Sequence, residues 1–309
     1  MKIVFLDAMS LGSDLDLSGF DALGEVVKYD YSTKEETAER VKDADVIVVN
    51  KVEMCEETLK NAVNLKLICV TATGTNNLDK DYLDQRGIAW RNVAGYSTES
   101  VAQHTFALLF YLLEHLPYYD DYVKSGKYIN DKSFTHFSKI FHELHGMTWG
   151  IIGLGAIGRR VADLAKAFGC HVIYYSASGR KPQEGYEQVD FTTLLKTSDI
   201  VSIHAPLTEA TMGLMDKEAF AKMKKSAILL NVGRGPIIVE EDLKEALNNG
   251  EIAAAGLDVL SVEPMAKDNP LLEVKDKDRL VITPHIAWAS VEARNYLMDI
   301  ILGQIKDFF

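Results

Sequence analysis

The chain has 309 residues, a formal net charge of −12 and a pI near 5.2, with 47% hydrophobic and 25% charged residues. That length sustains two domains with cores of their own, and the composition is that of an ordinary soluble globular protein. The acidic balance excludes nucleic acid or an anionic membrane surface as a natural partner, so an anionic ligand has to be drawn by a local cation.

The opening Met1-Lys2-Ile3-Val4-Phe5-Leu6-Asp7 is too short and too quickly charged for a signal peptide, and no apolar run reaches membrane-spanning length. Lys2–Leu6 and Glu25–Tyr29 read as strands, and Thr33 with Glu36 forms a capping-box pair opening a helix to about Lys42. Asp45–Val49 and Leu67–Val70 are strands of the fully buried kind. Helical patterns lie near Glu56–Ala62 and Leu78–Arg86, the second ended by Gly87, and Ile88–Val93 is a further strand. This alternation predicts a parallel sheet with helices on both faces. Ala72 to Asn77 is a loop of small residues at the carboxyl end of a strand, either a ligand-facing loop or an ordinary turn.

Ser97–Leu116 is the longest helical pattern, too apolar for one exposed face, and Pro117 is expected to break it. Tyr118–Phe141 is aromatic and charged without a clear period, and reads as a bridge that can join a subunit contact. His136, His142 and His145 lack the spacing and carboxylate partners of a metal site. The cysteines Cys55, Cys69 and Cys170 are scattered, with no C-x-x-C, and read as reduced thiols of a cytoplasmic protein.

Thr148 to Ser176 then reads strand, glycine turn, helix, strand. The turn is Gly153-Leu154-Gly155-Ala156-Ile157-Gly158, and its context is the one a dinucleotide-binding G-x-G-x-x-G requires. Gly153 makes the tight turn, Gly155 admits a pyrophosphate to the backbone, and Gly158 lets helix and strand pack closely. The pyrophosphate would rest on the helix N-terminus. The second strand ends at Ser176, where a carboxylate for the adenosine ribose is expected. Ser176 and Ser178 with Arg180 and Lys181 suit a 2′-phosphate, so NADP is read over NAD; the missing carboxylate permits NADP without requiring it. Strands at Asp199–His204, Ala227–Val232, Ala254–Val259 and Arg279–Thr283 follow. They are separated by helices at Phe191–Lys196, Asp216–Met223 and Glu240–Asn249, which completes a six-stranded Rossmann sheet. Ser290–Phe309 is a closing helix that could cross back to the first unit.

Arg234, Glu263 and His285 each stand just after a strand of this second unit, at the sheet edge where ligands bind. Reduction of a 2-oxo acid needs a hydride donor, a proton donor and a cation for the carboxylate. Histidine supplies the acid, a neighbouring carboxylate favours its charged form, and arginine binds a carboxylate through two hydrogen bonds.

With these residues assembled, the chain resembles the D-isomer-specific 2-hydroxyacid dehydrogenases over nearly its whole length. The resemblance rests on the glycine turn, His204–Thr211, Asn231–Leu243, Gly256–Pro264 and Thr283–Ser290. It implies an α/β chain of two doubly wound parallel-sheet domains around an interdomain cleft. A flavodoxin-like substrate domain would comprise 1–97 and 288–309, and a Rossmann cofactor domain 98–287. Arg234 would bind substrate, Glu263 would pair with His285, and His285 would be the acid–base. Cofactor contacts would come from the glycine turn, Ser176, Ser178, Arg180, Lys181, His204, Ala205, Pro206, Thr211, Asn231, Val232, Gly233, His285 and Ala287, with Asp258 facing the nicotinamide amide. Thr73, Gly74 and Thr75 would hold the substrate carboxylate, beside Trp288. The stretch Ser100–Thr105 and the Ala287-Trp288 pair point to the glycerate dehydrogenase/hydroxypyruvate reductase branch, hence hydroxypyruvate or glyoxylate and a cytoplasmic homodimer. A nucleotide-sensing protein of the same fold is the reading from another class, and a dehydrogenase of the same family for lactate, branched 2-oxo acids or phosphoglycerate is the other reading.

Overall fold

In chain order the elements are β1 (Lys2–Phe5), β2 (Glu25–Lys28), α1 (Lys34–Arg40), β3 (Val46–Val49), α2 (Glu56–Leu59), β4 (Leu67–Val70), α3 (Lys80–Arg86) and β5 (Ala89–Arg91). There follow α4 (Thr98–Leu113), α5 (Leu116–Lys124), β6 (Thr148–Ile152), α6 (Ala156–Ala167), β7 (His171–Tyr175), β8 (Glu187–Gln188), α7 (Phe191–Thr197) and β9 (Ile200–Ile203). The remainder is α8 (Lys217–Lys222), β10 (Ile228–Asn231), α9 (Glu240–Asn249), β11 (Ala254–Leu257), β12 (Leu280–Ile282) and α10 (Val291–Phe308). The computed structural model describes residues 1–179 and 183–309, so Arg180 and Lys181, read above as 2′-phosphate partners, lie outside the described residues. The chain divides into two compact units, Met1–Ser97 with Ala289–Phe309, and Thr98–Trp288.

The first unit is a five-stranded sheet in the order β2-β1-β3-β4-β5, every pair parallel. All four residues of β3 and of β4 are buried, as expected of strands covered on both faces. The Thr33 hydroxyl accepts the Glu36 N–H while the Glu36 carboxylate accepts the Thr33 N–H, so the capping box opens α1. The strand order reverses between β1 and β3, the point at which open α/β sheets receive ligands. There the Asp7 carboxylate accepts the N–H groups of Asn50 and Lys51 at 2.7–3.0 Å, fixing the loop after β3. α10 belongs to this unit and buries Leu297, Met298, Ile301 and Ile305. Arg294, 9% exposed, ties it down through two bonds to the Asp14 carboxylate, at 2.6 and 2.9 Å.

The second unit is a seven-stranded parallel sheet in the order β12-β11-β10-β9-β6-β7-β8. Counted from β6, the strands run 3-2-1-4-5-6-7, the Rossmann order with one strand added. The sequence pattern predicts six strands; the additional one, β8, is two residues long and too short to show a period. Separate apolar cores fill the two faces of the sheet. One contains Phe220, Leu229 and Leu243; the other contains Trp149 beneath Phe106, Leu109 and Leu112 of α4.

α4 is shorter than the sequence pattern predicts, ending at Leu113 instead of Leu116. His115 adopts a left-handed φ of 51°, and Pro117 sits in the first turn of α5, where its missing N–H costs nothing. The proline therefore opens a second helix, and the stretch read as aperiodic holds α5 and a short 3-10 turn at Lys127–Asn130.

Candidate active site

The glycine turn is shaped by three different needs. Gly153 has φ +93°, and a Cβ there would stand 2.7 Å from the Ala205 backbone. A Cβ on Gly158 would stand 2.2 Å from the Gly153 carbonyl oxygen, so this glycine permits the close helix–strand approach. A Cβ on Gly155 meets nothing within 4 Å. Gly155 is the N-cap of α6 and makes no side-chain cap, so the first-turn N–H groups of Ala156, Ile157 and Gly158 receive no side chain there. Open space over uncapped N–H groups fits an anionic pyrophosphate. Leu154 is held from behind, its carbonyl accepting the Gln183 side-chain amide at 3.0 Å. At the end of β7 the Ser176 and Ser178 hydroxyls lie 3.2 Å apart.

Two further loops close on this turn at the carboxyl edge of the sheet. His204 follows β9, with Nε2 3.0 Å from the Ser202 hydroxyl, which also accepts the Trp149 indole N–H at 2.9 Å. Burial pushes the His204 pKa down to about 3, and its Nδ1 is buried without a partner. Ala205 packs against Gly153, Pro206 is exposed, and Thr211 uses its hydroxyl inside the turn, donating to the Pro206 carbonyl and accepting from Thr208 N–H. Asn231 is fully buried and spends both ends of its amide on the next turn, accepting from Gly233 N–H and donating to the Arg234 carbonyl. Thr211 and Asn231, both expected as cofactor contacts, thus also shape the turns they stand on, and Val232 and Gly233 line the turn that Asn231 shapes.

That turn presents Arg234, which is half-buried. Among the described residues the arginine ion pairs are those of Arg40, Arg160 and Arg294, so the Arg234 guanidinium keeps its charge for another partner. The loop after β11 supplies Glu263, and the loop after β12 supplies His285. His285 Nδ1 is 2.7 Å from Glu263 Oε2, while Glu263 Oε1 accepts the Leu260 N–H at 3.0 Å. Both side chains are about one-third exposed or less, at 27% and 31%. The carboxylate fixes the tautomer with hydrogen on Nδ1 and leaves Nε2 for exchange. The constellation can therefore hold a carboxylate and move one proton.

His285 has φ +57°, an unfavourable region for a residue with a side chain. Asp258 is what holds it there. Its carboxylate is 1% exposed and accepts the Thr283 hydroxyl at 2.6 Å, the Ile286 N–H at 2.9 Å and the Ala287 N–H at 2.8 Å, while its own carbonyl accepts the His285 N–H. Burial alone would raise the Asp258 carboxyl; hydrogen bonds from His104, Thr283, Ala287 and Ile286 outweigh it and hold it below the usual range. Asp258, expected to face the nicotinamide amide, thus gives Oδ1 to Thr283 and Ile286 and Oδ2 to Ala287 within the His285 loop. His104 on α4 is not a candidate from the sequence, yet its Nε2 lies 2.9 Å from the Thr283 hydroxyl. A histidine on an apolar helix face carries no local signal of such a role. Ala287 is buried, and its carbonyl accepts the Ser100 hydroxyl at 2.6 Å; Trp288 beside it is half-buried.

In the first unit, the loop after β4 is shaped by the Thr73 hydroxyl donating to the Val93 carbonyl and the Asn92 amide donating to the Thr73 carbonyl. Gly74 and Thr75 are half-buried. Cys69 and Cys170 are pushed up to about 12 and about 11 by burial, which disfavours thiolate chemistry. Among the described residues no helix is long and apolar enough to cross a membrane.

Residues 106–287 match the family profile described as D-isomer specific 2-hydroxyacid dehydrogenase, NAD binding domain. A hydroxypyruvate reductase of Blautia hydrogenotrophica is 40% identical over 100% of this chain and 97% of its own length. A glycerate dehydrogenase of Methylorubrum extorquens is 38% identical over 99% of this chain and 96% of its own. Among solved structures, an NADPH-dependent glyoxylate/hydroxypyruvate reductase from Sinorhizobium meliloti, in complex with NADP and malonate, superposes with a TM-score of 0.82 at 26% identity, covering 100% of this chain and 93% of that one.

Proposed function

The chain belongs to the D-isomer-specific 2-hydroxyacid dehydrogenases, and on that premise we propose that its substrate is hydroxypyruvate or glyoxylate and its preferred cofactor NADPH. The reaction class is hydride transfer between a nicotinamide cofactor and a small 2-oxo or 2-hydroxy acid. The observation that carries the site assignment is the 2.7 Å contact between His285 and Glu263, at the same sheet edge as an arginine with no ion pair among the described residues.

The roles follow from the side chains. The cofactor, when bound, supplies the hydride for substrate C2. Its pyrophosphate is assigned to the first turn of α6, over Gly155. Arg234 takes the substrate carboxylate in the fork of its guanidinium. Glu263 accepts the Nδ1 hydrogen of His285, so that Nε2 carries the proton given to the carbonyl oxygen; in the oxidative direction the same atom receives it. Asp258 keeps His285 in its strained backbone conformation. Thr73, Gly74 and Thr75 are assigned to the substrate carboxylate, the first unit to substrate and the second to cofactor. Hydroxypyruvate and glyoxylate are favoured because the relatives named for those substrates or for glycerate match nearly end to end. NADPH is favoured because the hydroxyls of Ser176 and Ser178 stand where a carboxylate would repel a 2′-phosphate.

We also propose a cytoplasmic homodimer. Ile129, Phe134, Phe137 and Ile140 are 77–88% exposed, an apolar stretch of the kind that a subunit contact covers. Three free cysteines agree with a reducing compartment. The deciding experiment is steady-state kinetics with hydroxypyruvate, glyoxylate and pyruvate against NADPH and NADH, following absorbance at 340 nm. Pyruvate as the best substrate would overturn the substrate assignment, and a strong NADH preference the cofactor assignment. A monomer by light scattering would overturn the dimer.

A further inference from the structure

Glu263 stands on an exposed loop, yet its carboxylate has to stay within hydrogen-bond distance of His285. Residues 261–264 are all exposed, and the apolar hold on this loop is confined to Leu260 and Met265 on either side, which pack partly buried against the core. A polar device supplements it. Glu240, the first residue of α9, accepts the Ser261 N–H on Oε1 at 2.7 Å and the Asn269 side-chain amide on Oε2 at 2.8 Å. One carboxylate thus pins both ends of the excursion from Ser261 to Asn269.

Asn269 is well placed for this. It is 5% exposed, and its Oδ1 accepts the Leu271 N–H at 2.9 Å as cap of the 3-10 turn Pro270–Glu273. Its amide cannot turn over without losing that bond, so it presents only N–H groups to Glu240. The same short segment also connects to the arginine. A Cβ on Gly235, next to Arg234, would stand 1.9 Å from the Leu260 carbonyl carbon, so the Arg234 turn and the start of the Glu263 loop pack backbone to backbone. Glu240, five residues further on, completes that clamp.

We propose that Glu240 and Asn269 are positioning residues that hold Glu263 against His285, acting on proton transfer without touching substrate or cofactor. This rests on the reading of Glu263 and His285 as the acid–base pair. The chemistry makes a defined demand: position 240 must accept on both oxygens because 269 can only donate. Glu240→Gln sets an amide NH2 against the Asn269 NH2, and Asn269→Asp sets two carboxylates together. The double variant E240Q/N269D exchanges the roles. The amide introduced at position 240 still accepts from Ser261 through its oxygen and donates to the carboxylate introduced at position 269, which can still accept from Leu271.

The test measures kcat for reduction of hydroxypyruvate with NADPH, together with NADPH affinity by fluorescence titration, in both single variants, the double variant and His285→Ala. Loss of a charge-assisted bond predicts a fall in kcat of about tenfold in each single variant. Cofactor affinity should be unchanged, and kcat should recover in the exchange. Single variants with the kcat of the unmodified chain would overturn the proposal. So would a loss that the exchange leaves in place, or one matched by loss of cofactor affinity, because either is the signature of general damage. His285→Ala separates the two levels. If it turns over normally, the acid–base reading itself fails. If it is inactive while both single variants are unimpaired, only the positioning role fails.

Discussion

Replacing Gly155 by alanine should separate cofactor binding from folding. The backbone at Gly155 has φ −80° and ψ −163°, a conformation any residue adopts, and the added Cβ meets no atom within 4 Å. Two small effects on stability oppose each other. Alanine restricts the unfolded chain, a gain of about 0.4–1 kcal/mol. It is also a poorer N-cap than glycine, a loss of the same order. The net change should be about 0.5 kcal/mol or less, and in a chain of this size even 1 kcal/mol moves Tm by only about 2 °C. Binding is another matter. The methyl group occupies the space assigned to the pyrophosphate and costs at least one hydrogen bond to a charged oxygen, worth about 1.5–3 kcal/mol, or about 10- to 150-fold in Kd. Differential scanning fluorimetry without cofactor and fluorescence titration with NADPH and NADH read the two quantities. Gly158→Ala is the contrast, because its Cβ would collide with the Gly153 carbonyl at 2.2 Å, so it should lower Tm as well. A Gly155→Ala protein that binds both cofactors with unchanged Kd would refute the assignment of the pyrophosphate to α6.

Other outcomes follow from the same geometry. Asp258→Asn puts an NH2 group among three donors, so the His285 loop should lose its strained conformation and kcat should fall about 100-fold, checked by steady-state kinetics. His204 is held neutral with a pKa of about 3 against an ordinary 6.5. The unfolded chain therefore takes up a proton that the folded one refuses, and stability is lost as pH falls from about 6.5 toward about 3. The slope is at most about 1.4 kcal/mol per pH unit, an upper bound because the ring is half-buried. His204→Gln should flatten Tm against pH between about 6.5 and 4.5. An unchanged profile would place the acid sensitivity elsewhere. Ser176→Asp should move cofactor preference toward NADH by about tenfold or more in kcat/KM, as a carboxylate repels the 2′-phosphate and binds the ribose hydroxyls; equal loss with both cofactors would argue against that placement.

Much of this protein could be read from local residue patterns. The buried strands β3 and β4 are continuous apolar runs, α1 carries its own capping box, and the glycine turn lies between a strand and a helix within one short stretch. Arg234, Glu263 and His285 are legible in the same way, because each follows a strand of the second sheet and has a chemistry that suits its place. Short-range physics determines these features: side-chain period, cap hydrogen bonds and the backbone freedom of glycine act within a few residues.

What the pattern left open depends on residues far apart in the chain. β8 exists only because Glu187 and Gln188 find β7 beside them, and α5 starts where Pro117 suggested only an end. Asp258 reads as a ligand-facing acid; that its carboxylate also accepts from Thr283, Ile286 and Ala287 is visible only in the fold. His104 with Thr283, Trp149 with Ser202, and Glu240 with Ser261 and Asn269 are joined across separations of 21 to 179 residues. No local rule couples such positions. Packing of the sheet and its helices brings them together, and a buried or charged polar group then takes whatever partner lies within reach, because leaving it unpaired costs more than the bond itself contributes. The sequence alone therefore determined the architecture and the candidate reacting groups; the tertiary structure decided which neighbours hold those groups in place.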